Sequence, residues 1–174
     1  MFRGEFNARV PIASIRSASV REGTLVLDYP GGPLELDLGH AAARWAARIR
    51  EPRGLAEKLG LKPGLRVSVV GLDDERLREE VRLSGAEMVG PRAREVDLVF
   101  VGLQSKADLR RLTSARGRIR KAGAVWAVWP KGRKDLREDD VRAFNPTSGL
   151  VDVKVVSVSP VLSGLKLMIP RKDR

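Results

Sequence analysis

Apolar and polar positions follow two different patterns along this chain, and the change falls near residue 53. Over residues 9–38 the period is two. "RVPIASIRSASV", "TLVLDY" and "LELDL" read as antiparallel strands, separated by turns at Glu22-Gly23 and Pro30-Gly31-Gly32-Pro33. In "LELDL" the alternation puts Leu34, Leu36 and Leu38 on one face and Glu35 and Asp37 on the other, so one face of this sheet stays wet. A helix follows in "HAAARWAARIRE". Alanine and arginine favour it, Trp45 and Ile49 are spaced i, i+4, and Pro52 ends it.

From Arg53 onward, helical and extended stretches alternate. "GLAEKLGL" is a short helix closed by Gly60, and Lys62-Pro63-Gly64 turns into "LRVSVVG", a buried strand. Asp73 and Asp74 stand where they cap the helix "DERLREEVRLSG", which points Leu77, Val81 and Leu83 inward. "AEMVG" and "EVDLVFVGL" are strands, and "SKADLRRLTSARGRIRKAG" reads as one basic helix from Ser105 to Gly123. "AVWAVWP" is the next strand. The short helix "DLREDDVRAF" stops at Asn145-Pro146, and "LVDVKVVSVSP" and "GLKLMIP" are two strands joined by a turn at 159–164.

Such alternation predicts an α/β fold. The expected sheet is Rossmann-like and mostly parallel, with helices on both faces and right-handed crossovers. The closing hairpin adds an antiparallel strand near one edge, which is the arrangement of a methyltransferase-type sheet. Two domains are expected: a small antiparallel β-β-β-α module over residues 1–52 and the Rossmann-like domain over residues 53–174.

The stretches "LAEKLGLKPGLRVSVV", "DLVFVGLQSKADLRRL", "AGAVWAVWPKG", "DLREDDVR" and "GLVDVKVVSVSPVLSGLKLM" resemble, in this order, a bacterial family of unknown function with a methyltransferase-like fold. The resemblance covers about residues 53–172, and the Trp-Pro-Lys junction and the Gly-Leu-Val-Asp-Val-Lys strand are its most specific pieces. Two features depart from the family pattern: "FNPTSG" shortens the helix after "DLREDDVR", and Leu162 stands where an aromatic often precedes Ser-Gly. Both touch loops that border a cleft. The N-terminal strands and "LGHAAARWAARIREP" resemble the last strands and terminal helix of a pleckstrin-homology-like domain. These resemblances imply architecture and no particular chemistry.

Composition narrows the function classes. Among 174 residues there is no cysteine, which removes disulfides, thiolate nucleophiles and cysteine-bound zinc or iron–sulfur clusters. No apolar run is long enough to span a bilayer, and "MFRGEFNARV" has no signal-peptide core, so a cytoplasmic location is expected. The net charge of +11 is unevenly spread. Residues 1–52 carry seven basic and six acidic side chains, whereas residues 104–137 carry eleven basic against Asp108 and Asp135. Arg110, Arg111, Arg116, Arg118, Arg120, Lys121, Lys131, Arg133 and Lys134 are therefore candidate contacts for nucleic acid or another polyanion. A solvated helix face accounts for the same count, no aromatic alternates with these cations, and no nucleic-acid-binding motif is present.

A nucleotide-type cofactor needs a glycine-rich first turn and an acid at the end of the second strand. The first turn, "VVGLDDERL", has only Gly71, followed by Leu72 and two aspartates. The second strand ends in Gly90, Pro91 and Arg92. Both halves of the fingerprint are missing, so no cofactor is expected. His40 is the single histidine, at the entry to a helix, where a surface role is the plainer reading. The runs Asp73-Asp74-Glu75 and Glu138-Asp139-Asp140 open helices and suit capping better than magnesium.

Open α/β sheets hold ligands outside the carboxyl ends of their strands. Three such ends, at 71–73, 102–105 and 129–132, bring Gly71, Asp73, Gln104, Ser105, Trp129 and Lys131 to one rim. Trp126 lies in an apolar run and reads as core, while Trp129 at the lip is open to either packing or ligand stacking. The expectation is a non-catalytic protein that binds another protein or a small anion. A nucleic-acid-binding accessory protein and a methyltransferase with an atypical adenosylmethionine site are the alternatives.

Overall fold

The computed structural model describes residues 10–50 and 54–174. The chain falls into two compact units, Met1–Gly54 and Leu55–Arg174. Among the described residues no helix is long and apolar enough to cross a membrane.

In the first unit, β1 (Ser17–Arg21), β2 (Thr24–Tyr29) and β3 (Gly32–Asp37) form an antiparallel sheet in that order. Glu22 and Gly23 close the first hairpin with φ of 46° and 83°, the paired left-handed conformation whose twist matches the flanking strands. The first strand is shorter than its sequence suggests. Pro11 has no N–H to give to a ladder, and Ile12–Ser14 form a 3-10 turn instead, held by the Ser14 hydroxyl donating to the Pro11 carbonyl at 2.7 Å. The alternation in β3 behaves as expected, with Leu34 and Leu36 half-buried and Glu35 and Asp37 exposed. Helix α1 (Ala42–Arg50) docks through Ala42 and Ala46, both fully buried, while Trp45 stays 45% exposed. Small side chains bring the helix close to the strands, which the larger indole would hold apart. The stop assigned to Pro52 and the start assigned to Arg9 lie outside the described residues.

The second unit runs α2 (Leu55–Leu59), β4 (Arg66–Val70), α3 (Glu75–Leu83), β5 (Glu87–Val89), β6 (Val96–Gly102), α4 (Arg110–Arg116), β7 (Ile119–Pro130), α5 (Glu138–Ala143), α6 (Asn145–Ser148), β8 (Val151–Ser157) and β9 (Leu162–Met168). Six strands form one sheet in the order β5-β4-β6-β7-β9-β8. The first four are parallel, and β9 runs antiparallel to both β7 and β8, one place in from the edge. The fold is thus mixed α/β with a mostly parallel sheet.

The apolar runs of β6 and β7 follow from their central place, since both faces are covered. Along β7, Val125, Ala127 and Trp129 join the cluster under α4 and α5, whereas Ala124, Trp126 and Val128 join the one under α2 and α3. Trp126 is fully buried, lies parallel to the Phe100 ring at 6.3 Å, and donates its indole N–H to the Leu59 carbonyl at 3.1 Å. Trp129 is 5% exposed and packs in the core.

Helix α3 is capped by one of the two candidate aspartates. The Asp74 carboxylate accepts the Leu77 N–H at 2.7 Å, while Asp73 is exposed and pairs with Arg78 at 2.9 Å. Leu77 and Val81 face the core as expected, but Leu83, expected inward with them, is exposed, because it is the last residue of the helix and lies beyond the sheet contact. Asp74→Ala is expected to cost about 1 kcal/mol in a urea titration, against almost no change for Asp73→Ala. Equal losses in the two variants would show that capping is not what Asp74 contributes.

The basic helix is shorter than its sequence suggests. It ends at Arg116, and Ile119 already pairs with Val96 as the first residue of β7. The register then jumps to Leu98 opposite Ala124, leaving 120–123 as an irregular excursion beside Asp97. Arginine, alanine and lysine make "ARGRIRKAG" look helical, but the pairing of Ile119 overrides that local preference. Arg118, Arg120 and Lys121 are therefore not on the helix.

Candidate functional site

The sheet order places a topological switch point between β4 and β6. The chain leaves β4 toward β5 on one side and returns to β6 on the other. Side chains and loops at the carboxyl ends of these two strands border the place where an open α/β sheet takes ligands.

The backbone of the two strand ends is closely packed there. A Cβ on Gly102 would lie 2.0 Å from the Gly71 carbonyl oxygen and 2.9 Å from Leu72 Cα, so the two strand ends meet backbone to backbone. Gly71 has φ of 62°, and a Cβ there would lie 2.6 Å from Arg111 Nη1. The Arg111 guanidinium thus packs over Gly71. From there it donates to the Gly102 carbonyl at 3.1 Å, and its other amino group meets Asp108 Oδ1 at 3.0 Å. Leu72, the next residue of the turn, is buried in the core under α3.

Asp108 also consumes the amides of the second turn. Its Oδ2 accepts the Gln104 N–H at 2.9 Å and the Ser105 N–H at 3.0 Å. Burial alone would raise this carboxyl, but the amides of Gln104 and Ser105 and the Arg111 charge outweigh it and hold it below the ordinary aspartate value. Asp108 therefore remains ionised and occupies the amides that a ligand anion would otherwise use.

The six predicted rim residues do not converge on one site. Gly71, Asp73 and Gln104 line an open trough of about 530 Å³ along the rim, together with Arg78 and Pro91. Trp129 and Lys131 line a separate, smaller hollow of about 220 Å³ beside Leu136 and Glu138. Ser105 lines neither, being engaged with Asp108. Lys131 is tied down, its ammonium donating at 2.6 Å to both the Ser157 hydroxyl and the Ser159 carbonyl.

The predicted polyanion contacts are likewise dispersed. Arg116 donates to the Gly149 carbonyl at 3.0 Å, Arg120 pairs with Asp97 at 2.9 Å, and Arg133 pairs with its neighbour Asp135. Arg110, Lys121 and Lys134 are exposed. Lys131 and Arg133 share the small hollow beside Trp129, and Arg111 and Arg118 share a basin of about 500 Å³ on the α4 side of the sheet that Arg92 and Arg94 complete. Sequence reading missed these two arginines because they sit in the "GPRARE" loop, outside the basic run. An available signal was a loop at a strand's carboxyl end carrying two arginines. His40 is exposed, and among the described residues no group of three or more His, Asp or Glu is placed to hold a metal ion.

No protein-family model matches this sequence, and no curated protein matches it. Solved structures do. A ribosomal protein L11 methylase from Lactobacillus delbrueckii subsp. bulgaricus superimposes with a TM-score of 0.53 at 12% identity, over 67% of this chain and 75% of that one. A protein of Thermoplasma acidophilum proposed to be a methyltransferase superimposes with a TM-score of 0.50 at 7% identity, over 64% of this chain and 70% of that one. At such identities the similarity extends to the fold alone, and the fold is methyltransferase-like.

Proposed function

We propose that this chain acts by binding rather than by group transfer, through a methyltransferase-like sheet whose cofactor crevice is occupied by its own residues. The observation that carries this reading is the Arg111–Asp108 network over Gly71 and Gly102, which takes up the space and the free amides of the switch point. The cofactor implied by the fold, adenosylmethionine, needs backbone free to approach at the first turn and a carboxylate for its ribose after the second strand. Here the first turn is closed by Leu72 and Arg111, and β5 leads into Gly90, Pro91 and Arg92. The residues present do not fit that group. We read the first unit as a partial pleckstrin-homology-like module, a reading supported by its three antiparallel strands followed by α1.

One observation favours the methyltransferase alternative: the trough at Gly71, Asp73 and Gln104 is large enough to hold a ligand of moderate size. Calorimetric titration of the full chain with adenosylmethionine and adenosylhomocysteine separates the two readings. Neither is expected to give a saturable heat. Saturable binding of either would restore the enzyme reading.

A further inference from the structure

The basin on the α4 side is built from three separate segments. Arg92 and Arg94 come from the loop after β5, Arg111 from α4, and Arg118 from the residues joining α4 to β7. None of the residues lining it is acidic. Among the described residues, no carboxylate pairs with Arg92, Arg94 or Arg118, and Asp108 offsets only Arg111. Four arginines lining one basin, with one carboxylate partner among them, leave an excess of positive charge that an anion in the basin would offset.

Arg118 is also held in place from behind. Its Nε donates to the Ala93 carbonyl at 3.0 Å and its Nη2 to the Ser68 hydroxyl at 2.8 Å. Ser68 is fully buried and in turn donates to the Gly90 carbonyl at 3.1 Å. These contacts fix the plane of the guanidinium and leave Nη1 without a protein acceptor among the described residues. Burial lowers the pKa of this arginine, so its charge is partly stripped of water with no carboxylate to compensate. The fixed guanidinium thus keeps Nη1 to donate a charge-assisted hydrogen bond to an oxyanion in the basin.

We propose that Arg92, Arg94, Arg111 and Arg118 form a binding site for the phosphate or pyrophosphate group of a small ligand. Three uncompensated charges favour a group of charge −2 or more over a single carboxylate. The volume of about 500 Å³ exceeds what one phosphate fills, and Val70, Val101 and Pro91 give the basin apolar walls for whatever bears the phosphate. A small ligand fits better than a nucleic-acid backbone, because among the described residues most of the other candidate cations are engaged within the protein itself, leaving Arg110, Lys121 and Lys134 exposed. Arg116, Arg120, Lys131 and Arg133 are each engaged by neighbours in the protein. The basin adjoins the rim trough, with Val70 and Pro91 lining both, and its charge from Arg92, Arg94 and Arg118 does not rest on the network that Arg111 makes at the switch point.

The test is calorimetric titration of the full chain with pyrophosphate and with inorganic phosphate at low salt. Pyrophosphate is expected to bind saturably and more tightly than phosphate. Both arginines of an Arg92→Ser/Arg94→Ser variant lie in an exposed loop, so the variant keeps its circular dichroism spectrum and binds at least about tenfold more weakly. Ser114→Glu, which puts a carboxylate on the exposed wall of the basin, is expected to abolish binding. Absence of saturable binding, or wild-type affinity in both variants, would overturn the assignment. So would a single-stranded oligonucleotide whose affinity grows with length and which pyrophosphate does not displace, since that describes an extended polyanion surface. Adenosylmethionine binding that survives Arg92→Ser/Arg94→Ser would instead overturn the proposed function and leave the anion site standing.

Discussion

Gly102→Ala is expected to unfold the second unit or to destabilise it by more than about 4 kcal/mol. The added Cβ would fall 2.0 Å from the Gly71 carbonyl oxygen, 2.6 Å from the Gly71 carbonyl carbon and 2.9 Å from Leu72 Cα. All three atoms are backbone, so no side-chain rotation relieves the overlap, and separating β4 from β6 at this point would break the switch point itself. Gly102 is not among the glycines with left-handed φ, so space alone demands glycine here. Gly117→Ala is the matched control. Its φ is −70° and the nearest atom a Cβ would meet is the Ser114 carbonyl oxygen at 3.7 Å, so its stability is expected to change by less than about 1 kcal/mol. Chemical denaturation of both variants measures the contrast, and near-wild-type stability of Gly102→Ala would show that the strand ends do not meet as described.

Trp126 gives the second large effect. Its indole fills the layer between β7 and α2, stacked on Phe100 and hydrogen-bonded to the Leu59 carbonyl. Gly164 on the adjacent strand makes the room, since a Cβ there would lie 3.3 Å from Trp126 Cε3. Trp126→Ala is expected to cost about 3–5 kcal/mol by loss of buried apolar surface and formation of a cavity. Trp126→Phe keeps an aromatic ring against Phe100 but leaves the Leu59 carbonyl without its donor, so about 1–3 kcal/mol is expected. If the two variants were equally stable, the indole would not be the anchor that its burial implies.

Strands were legible in the sequence where both faces of the sheet are covered. "LRVSVV", "VDLVFVG" and "AVWAVWP" are mostly apolar, with Arg66, Ser68 and Asp97 the exceptions, because α2 and α3 cover one side and α4 and α5 the other. Limits set by tertiary pairing were not legible. The basic run beyond Arg116 has the composition of a helix, and only the pairing of Ile119 with Val96 turns it into a strand. Trp129 was left open between packing and stacking, and the α4–α5 layer decides it in favour of packing.

The rim residues lie at the strand ends where the alternation put them, but their partners could not be read from spacing. Asp108 lies three residues after Ser105, the spacing of a capping box, which accounts for its hold on the Ser105 amide, but nothing in the sequence marks it as the acceptor for the Gln104 amide and for Arg111. Arg92 and Arg94 are far in sequence from Arg111 and Arg118. Only the parallel pairing of β5 with β4 and of β4 with β6 brings the loop after β5 beside α4.

The central claim is that the switch point is filled by the protein's own Arg111–Asp108 network. The most direct test is a two-dimensional 15N–1H spectrum of the full chain titrated with adenosylhomocysteine. The account predicts that the amides of Gly71, Leu72, Gln104 and Ser105 stay in place at saturating ligand. Progressive, saturable movement of those four amides would contradict it, because it would mean that Arg111 gives way and that the crevice accepts the cofactor its fold suggests.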